Sequence, residues 1–302
     1  MTVTGLSKAR WGALRRVARG KVPDEMLVEG PQAAAEAVAA LRGWPAHGHL
    51  PPVPPRPGSL RQLLVTPAAA ERHAALVADA EALGVPTAVV GEAELAELTA
   101  TVTPQGVVAV AAVPWVPAAD VLGAGPVPAA PRTFAVLAEV RDPGNAGTVI
   151  RCADASGASG VFATAGSVDL ANTKCVRASV GSVFHLPIAV RQDFAALAEA
   201  LRAAGVVLLA ADGHGDTATD ELLDDAAAGR GPLVGDHAWV FGNEAWGMPA
   251  PRRAVCDAVV AIPPYGRAES LNLATASAVC LFASARARRV GLHRPVRPGL
   301  TG

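Results

Sequence analysis

Short apolar runs separated by helix-length stretches set the pattern of this chain. Residues 8–20 read as a helix with basic positions. MLVEGPQAAAEAVAAL (26–41) reads as a short strand, a Gly-Pro turn and an alanine-rich helix starting near Pro31, where proline's fixed φ suits the first helical turn. LRQLLVTP (60–67) then predicts a strand, 68–83 a helix, VPTAVVG (85–91) a strand, 92–98 a short helix and VVAVAAV (107–113) a strand, together a compact α/β unit. Beyond residue 132, FAVLAEV (134–140), GVFAT (160–164), LPIAV (186–190), VVLLAAD (206–212), AWVFG (238–242) and AVVAI (258–262) are apolar strands between helix-length segments. That pattern predicts a parallel sheet covered on both faces.

Two stretches interrupt the rhythm. Residues 43–58 end in PPVPPRPG and cannot hold a helix or a central strand, so they read as an inserted loop or polyproline II segment. Residues 114–132 carry prolines at 114, 117, 126, 128 and 131 with Gly123 and Gly125, too little periodicity for a core element, and read as a linker. The predicted organisation is therefore a smaller N-terminal domain (1–113), a linker (114–132) and a C-terminal domain (133–302). A chain of 302 residues has room for two cores, and no internal repeat is visible.

Composition narrows the class. A hydrophobic share of 51% excludes a mostly disordered protein. No apolar run approaches the roughly 18 residues a membrane span needs, and Arg15, Arg16 and Arg19 interrupt the place where a secretory core would sit. The expectation is a cytoplasmic protein with no membrane partner. Cys152, Cys175, Cys256 and Cys280 are isolated, with no CxxC pair, so reduced thiols are expected and no metal. The net charge is −1, but residues 1–21 hold Lys8, Arg10, Arg15, Arg16, Arg19 and Lys21 without an acid, and residues 286–302 hold Arg286, Arg288, Arg289, Arg294 and Arg297, again without one. Basic ends on a neutral body suit contact with phosphates, and charge alone equally allows solvated ends that confer solubility.

Three glycine-punctuated segments in the C-terminal half carry the chemistry. In the first, RDPG (141–144) makes a turn after a strand, Asn145 is placed to cap, and 146–156 predicts a helix that puts Arg151 in its second turn. In the second, GNEAWG (242–247) follows the strand AWVF, and Gly242 allows a tight turn and close approach to a ligand. In the third, IPPYG (262–266) leaves another strand and Ser270 is placed to cap a helix over 271–286. Asp212, His214 and Asp216 mimic a metal cluster but sit in a glycine-rich stretch and read as a polar loop; His185 reads as structural, and 220–230 as a solvated helix end.

NAGTVIR (145–151), FGNEAWGM (241–248) and IPPYGRAESLNLATAS (262–277), in this order, resemble the three signature motifs of the SpoU (TrmH) type RNA 2′-O-ribose methyltransferases of the SPOUT superfamily. RASVGSVFHLPI (177–188) fits the same pattern. Upstream, SKARWGALRRVARG, MLVEGPQAAAEA and TVTPQGVVAV (101–110) are similar to that family's ribosomal-protein-like substrate-binding domain, so the resemblance covers nearly the whole chain. It implies a trefoil-knotted α/β SPOUT methyltransferase domain at 133–302 and a smaller α/β RNA-binding domain at 1–113. It further implies S-adenosyl-L-methionine bound in bent form at Gly242, Asn243, Glu244, Ile262 and Leu271, and a homodimer whose sites are completed across the interface. Departures from the pattern are Pro264, Trp246 and the insertion 43–58.

The implied reaction moves a methyl group from a sulfonium to a ribose hydroxyl, which requires in-line alignment and removal of a weakly acidic proton. Arg151 is expected to hold the target phosphate and stabilise the developing alkoxide rather than act as base, because a guanidinium pKa above roughly 12 opposes proton abstraction. Asn145 would orient Arg151 or the ribose, with Glu244, Ser270 and Asn272 completing the catalytic set. The preferred substrate is 23S rRNA, with tRNA as runner-up. A non-catalytic RNA-binding or ribosome-assembly factor on the same fold is the alternative, which loss of Arg151 or of the Gly242 and Ser270 loops would favour. A Rossmann methyltransferase is disfavoured because no strand is followed by a GxGxG-like loop with a distal acid.

Overall fold

Period-two alternation along the strands divides each of two sheets between two apolar layers. The computed structural model describes residues 3–45, 47, 52–56, 58–123 and 131–292. The N-terminal elements are Val3–Thr4 (β1), Lys8–Ala18 (α1), Glu25–Glu29 (β2), Pro31–Ala39 (α2), Leu60–Val65 (β3), Pro67–Arg72 (α3), Ala74–Ala82 (α4), Thr87–Val89 (β4), Glu92–Ala96 (α5) and Val107–Ala112 (β5). They form a mixed five-stranded sheet in the order β1-β4-β3-β5-β2. Leu27, Leu64, Val108 and Val110 face α1, whose Trp11, Leu14 and Val17 are buried. Met26, Val28, Leu63, Val65, Val107 and Ala109 face the opposite way, onto Ala33, Ala34, Ala37 and Val38 of α2. The helix expected over 68–83 is interrupted at His73 (φ −115°, ψ 37°), although Ala69, Ala70, Leu76, Val77 and Ala80 on the two segments share one core.

The remaining elements are Ala118–Gly123 (α6), Thr133–Leu137 (β6), Pro143–Ala155 (α7), Gly160–Thr164 (β7), Thr173–Ser179 (α8), Ile188–Gln192 (β8), Phe194–Ala203 (α9), Val207–Ala211 (β9), Thr217–Ala218 (β10), Thr219–Ala228 (α10), His237–Phe241 (β11), Ala250–Arg253 (α11), Ala258–Ala261 (β12) and Leu273–Leu292 (α12). The seven strands run parallel in the order β10-β12-β9-β11-β6-β7-β8. Ala135, Leu137, Val161, Trp239 and Phe241 join one layer, while Phe134, Val136, Phe162, Ala238 and Val240 join the other. A parallel sheet puts every strand's carboxyl end on one edge, so the segments after β6, β11 and β12 emerge together.

One expectation changes on the fold. The segment 114–132 is not a bare linker: Val116 N–H bonds the Ile188 carbonyl at 2.9 Å, and α6 buries Val121 completely. A Cβ at Gly160 would lie 2.4 Å from a Val121 methyl, so that glycine makes the room. Its prolines mask the short apolar turn; residues 124–130 lie outside the described region. The ends of the 43–58 insertion close on themselves, Trp44 and Val53 exchanging backbone bonds of 2.8 and 2.9 Å.

The basic termini also divide. Arg10 bonds Gln62 at 2.7 Å and Arg15 pairs with Glu97 at 2.6 Å, whereas Lys8, Arg16, Arg19 and Lys21 are exposed without an ion pair among the described residues. Arg288 is no surface cation: 3% exposed, it donates to the Ser156 and Gly157 carbonyls at 2.5 and 2.9 Å. These acceptors lie at the carboxyl end of α7, where orphan carbonyls and the helix dipole favour a cation. Burial pushes its pKa down to about 10, which still leaves it charged. Arg294 and Arg297 lie outside the described residues.

Acids of the first sheet's elements meet bases of the second. Glu29 accepts from Arg177 at 2.9 Å and from Thr101. His185 sits between Asp154 (2.7 Å) and Glu36 (3.1 Å), edge-on to Trp44 at 4.7 Å. Both ring nitrogens are engaged, which gives His185 the structural role expected of it. Burial lowers its pKa, but the hydrogen bonds and charges of Asp154 and Glu36 outweigh that and leave it raised above 6.5. A raised folded-state pKa means the imidazolium's contribution is fully present below the unfolded value and is lost as pH rises through the folded one. The thermal midpoint of His185→Gln should therefore fall furthest below wild type under about pH 6.5, its ordinary value, and converge on it in alkaline buffer. A constant offset across that range would exclude the charged clamp.

Candidate active site

Asp142 begins the site. Its carboxylate caps α7 by accepting from Asn145 N–H at 2.8 Å, with Pro143 at the first helical position. The cap is thus Asp142 and not Asn145, which lies inside the first turn with its side chain free for other work. Pro143 at the first helical position suits a cap at Asp142 but does not by itself exclude Asn145. Lys174 holds the other Asp142 oxygen at 2.7 Å, and that bond together with Asn145 N–H keeps the carboxyl below its ordinary pKa. Gly147 lets α7 approach α8, because a Cβ there would lie 2.2 Å from the Cys175 carbonyl oxygen.

The loop after β11 folds back on itself. Asn243 and Gly247 exchange backbone bonds of 3.0 and 2.9 Å, and Gly247 takes φ +65°. A Cβ on Gly242 would lie 2.8 Å from the Gly247 carbonyl, so the glycine is demanded by the loop's own closure. Asn243 is 5% exposed and acts as a staple: its Nδ2 donates to the Glu139 carbonyl at 2.9 Å and its Oδ1 accepts from Ala245 N–H at 2.8 Å. Glu139 can present that carbonyl because it adopts φ +61°, unusual for a residue with a Cβ. Arg252 fixes its side chain at 2.7 Å, a bond that also holds the Glu139 carboxyl below its ordinary pKa.

Glu244 joins the first two motifs. It accepts from Arg141 N–H, Asp142 N–H and Asn145 Nδ2, each at 3.2 Å. Asn145 Oδ1 in turn accepts from Asn272 Nδ2 at 3.3 Å, which brings in the third motif. Asn272 caps α12 through Ala274 N–H at 2.9 Å, so the helix starts at Leu273 and Ser270 is not its cap. Three of the expected catalytic residues, Glu244, Asn145 and Asn272, thus form one chain of hydrogen bonds. Arg151 and Ser270 do not join it. Arg151 lies in the third turn of α7, six residues and about 9 Å of helix rise beyond Asn145, exposed, its side chain without a hydrogen bond or ion pair among the described residues. Ser270 is exposed on the loop before α12.

Among the described residues, 262–271 make no backbone hydrogen bond to the rest of the chain, Ile262 is half-buried and Leu271 is 46% exposed. Unpaired backbone groups beside apolar side chains fit an adenosyl group, which needs both. Asp212 at the end of β9 is bound by His214 and Arg253, a polar loop as expected. Glu139, Lys174 and Arg252 lie beyond a sequence reading because their roles depend on contacts that span 32 to 113 residues, whereas the Asp142 cap is a local bond that propensity alone assigns to Asn145.

Fold and site together define a two-sheet α/β protein that gathers three strand-end loops around one polar chain. The chain matches the SpoU rRNA methylase family model over residues 132–282 and the RNA 2′-O ribose methyltransferase substrate binding model over residues 54–114. It is 31% identical over 226 residues to the 23S rRNA (guanosine(2553)-2′-O)-methyltransferase RlmP of Bacillus subtilis, an alignment spanning 75% of this chain and 81% of that protein. It is 39% identical over 155 residues to the 23S rRNA (uridine(2479)-2′-O)-methyltransferase of Streptomyces viridochromogenes, covering 49% of this chain and 50% of that one. The structure resembles the AdoMet-bound rRNA methyltransferase of Sinorhizobium meliloti, with a TM-score of 0.71 and 28% identity over 95% of this chain and 97% of that chain. It likewise resembles the SpoU methyltransferase AviRb of Streptomyces viridochromogenes in complex with AdoMet, with a TM-score of 0.71 and 29% identity over 94% and 99%. The chain belongs to the SpoU rRNA methylase family.

Gly242→Ala should lower stability by about 1–3 kcal/mol, the range for forcing a methyl group into a filled space. Chemical denaturation measures this directly, and an unchanged midpoint would mean the loop closes differently.

Proposed function

We propose that the chain is an S-adenosyl-L-methionine-dependent RNA 2′-O-ribose methyltransferase acting on 23S rRNA. The observation that carries the reading is the chain Glu244–Asn145–Asn272, which ties the three motifs together while leaving Arg151 exposed and unpaired. The cofactor, when bound, supplies an activated methyl group. Gly242, Asn243 and Glu244 build one wall of its site and Ile262 and Leu271 the other, with Asn243 acting through loop shape. Asn145 faces the reacting sugar, its orientation fixed by Glu244 and Asn272. Arg151 grips the target phosphate and stabilises charge growing on the 2′-oxygen, whose proton passes to the phosphate or to a water; Ser270 lines the approach.

Residues 1–113 form the RNA-binding part and 133–302 the transferase part, with 114–132 between them. The match of residues 54–114 to a substrate-binding model supports this division. The protein acts as a homodimer in the cytoplasm. Val279 and Phe282 of α12, 39% and 50% exposed, give the dimer an apolar surface, and no described helix is long and apolar enough to cross a membrane.

Arg151→Ala should abolish methylation of deproteinised 23S rRNA while leaving S-adenosylhomocysteine affinity within a few-fold by calorimetry. Arg151→Lys should rescue poorly, because an ammonium does not reproduce the planar fork. Near-normal turnover of the alanine variant would remove Arg151 from the mechanism.

Basic residues of α1 and the turn after it are tested by substitution, since α1 is part of the core. Replacing Arg16, Arg19 and Lys21 with Gln should flatten the slope of log K against log salt by up to about 0.9 per lost phosphate contact. An unchanged slope would place the RNA elsewhere.

A further inference from the structure

Trp246 is 57% exposed, whereas Trp11 and Trp239 are buried and Trp44 and Trp115 are half-buried. An indole left in water forgoes a large hydrophobic gain, and here it does so on a rigid mount. The loop beneath it is closed by the paired Asn243 and Gly247 backbone bonds and pinned by the Asn243 and Glu244 side chains. The ring is not alone. The Arg141 guanidinium lies 5.8 Å from its centroid, and Arg141 N–H is itself held by Glu244. Among the described residues Arg141 has no ion-pair partner within salt-bridge distance, and the same is true of exposed Arg151 and Arg267 on the other two motifs. The Arg141 guanidinium beside the indole is therefore not engaged in an ion pair, although the Glu139 and Glu244 carboxylates lie in the same region.

An aromatic face beside a free guanidinium is the pair of groups that single-stranded RNA uses, since a splayed base stacks on the ring while the adjoining phosphate meets the cation. A ribose hydroxyl presented for in-line attack belongs to a nucleotide whose neighbours must be held as well. We infer that Trp246 and Arg141 form a stacking subsite for an unpaired nucleobase of the RNA strand, next to the nucleotide whose ribose is methylated. The inference rests on the RNA methyltransferase reading. Any base has a π-face, so the subsite selects for an unpaired base and not for its identity.

The test uses the full-length protein, deproteinised 23S rRNA for kinetics, and a short single-stranded RNA with its matching duplex for fluorescence. Trp246→Leu keeps an apolar side chain and removes the π-face. Its KM for rRNA should rise about tenfold, equivalent to roughly 1.4 kcal/mol, with S-adenosylhomocysteine affinity within twofold of wild type. Trp246→Phe should recover part of the loss. The single strand should quench the tryptophan emission of wild type more than the duplex does, and the difference should vanish in Trp246→Phe. Unchanged KM in the leucine variant, or equal quenching by duplex and single strand, would overturn the subsite while wild-type methylation upholds the enzyme reading. A lowered dimer mass with unchanged quenching would assign the ring to a protein contact and overturn it equally. A wild type that neither binds S-adenosylhomocysteine nor methylates rRNA would instead remove the enzyme reading beneath it.

Discussion

The Glu244 carboxylate accepts three N–H groups from a loop about a hundred residues away, and the active end of the sheet depends on that contact. Carboxylate oxygens can satisfy several donors at once, but only if the donors are fixed in space. Two local devices fix them. Asp142 caps α7 and so sets the backbone of the first motif; Asn243 fastens the second motif to the kinked carbonyl of Glu139. The left-handed conformation at Glu139 is of the kind that costs of order 1–3 kcal/mol. Its surroundings hold it, through Arg252 on the side chain and Thr164 on the amide.

Helix α7 links this chemistry to the fold. Its amino end carries the site, its middle presses on α8 through Gly147, and its carboxyl end is closed by Arg288 from α12. The last two contacts explain why the small residues of the first motif serve structure as well as function, and why Arg288 serves structure. A glycine within a helix costs about 0.5–1 kcal/mol relative to alanine, a cost offset here by close packing that no larger residue allows. The terminal nitrogens of the buried arginine find helix-end carbonyls and the Thr133 hydroxyl in place of water, while its Nε is left without a partner among the described residues.

The relation between the two sheets is also electrostatic. Glu29 and Glu36 project from the first unit toward Arg177 and His185 of the second, and Gly181 makes space for the Glu36 side chain. Partly buried pairs of this sort set orientation more than they add stability. They fix how the elements of the first sheet sit against those of the second.

Periodicity alone located most strands to within a few residues, because alternation between two buried layers leaves a mark at every position. It also predicted the parallel sheet, since strands buried on both faces read as unbroken apolar runs. The resemblance of three motifs names the site residues, whereas local capping propensity points to the wrong caps. Both Asn145 and Asp142 suit a helix start, as do Ser270 and Asn272, and one-dimensional propensity does not choose between them. Tertiary structure chose Asp142 and Asn272, freeing Asn145 to meet Glu244 and leaving Ser270 exposed. Gly242 was singled out for nearness to a ligand, and the folded loop shows it answers first to Gly247. Local propensity and burial pattern are written in neighbouring residues and can be read from the chain. Which donor meets which acceptor depends on groups brought together from distant segments, and that is settled only when the sheet has set their positions.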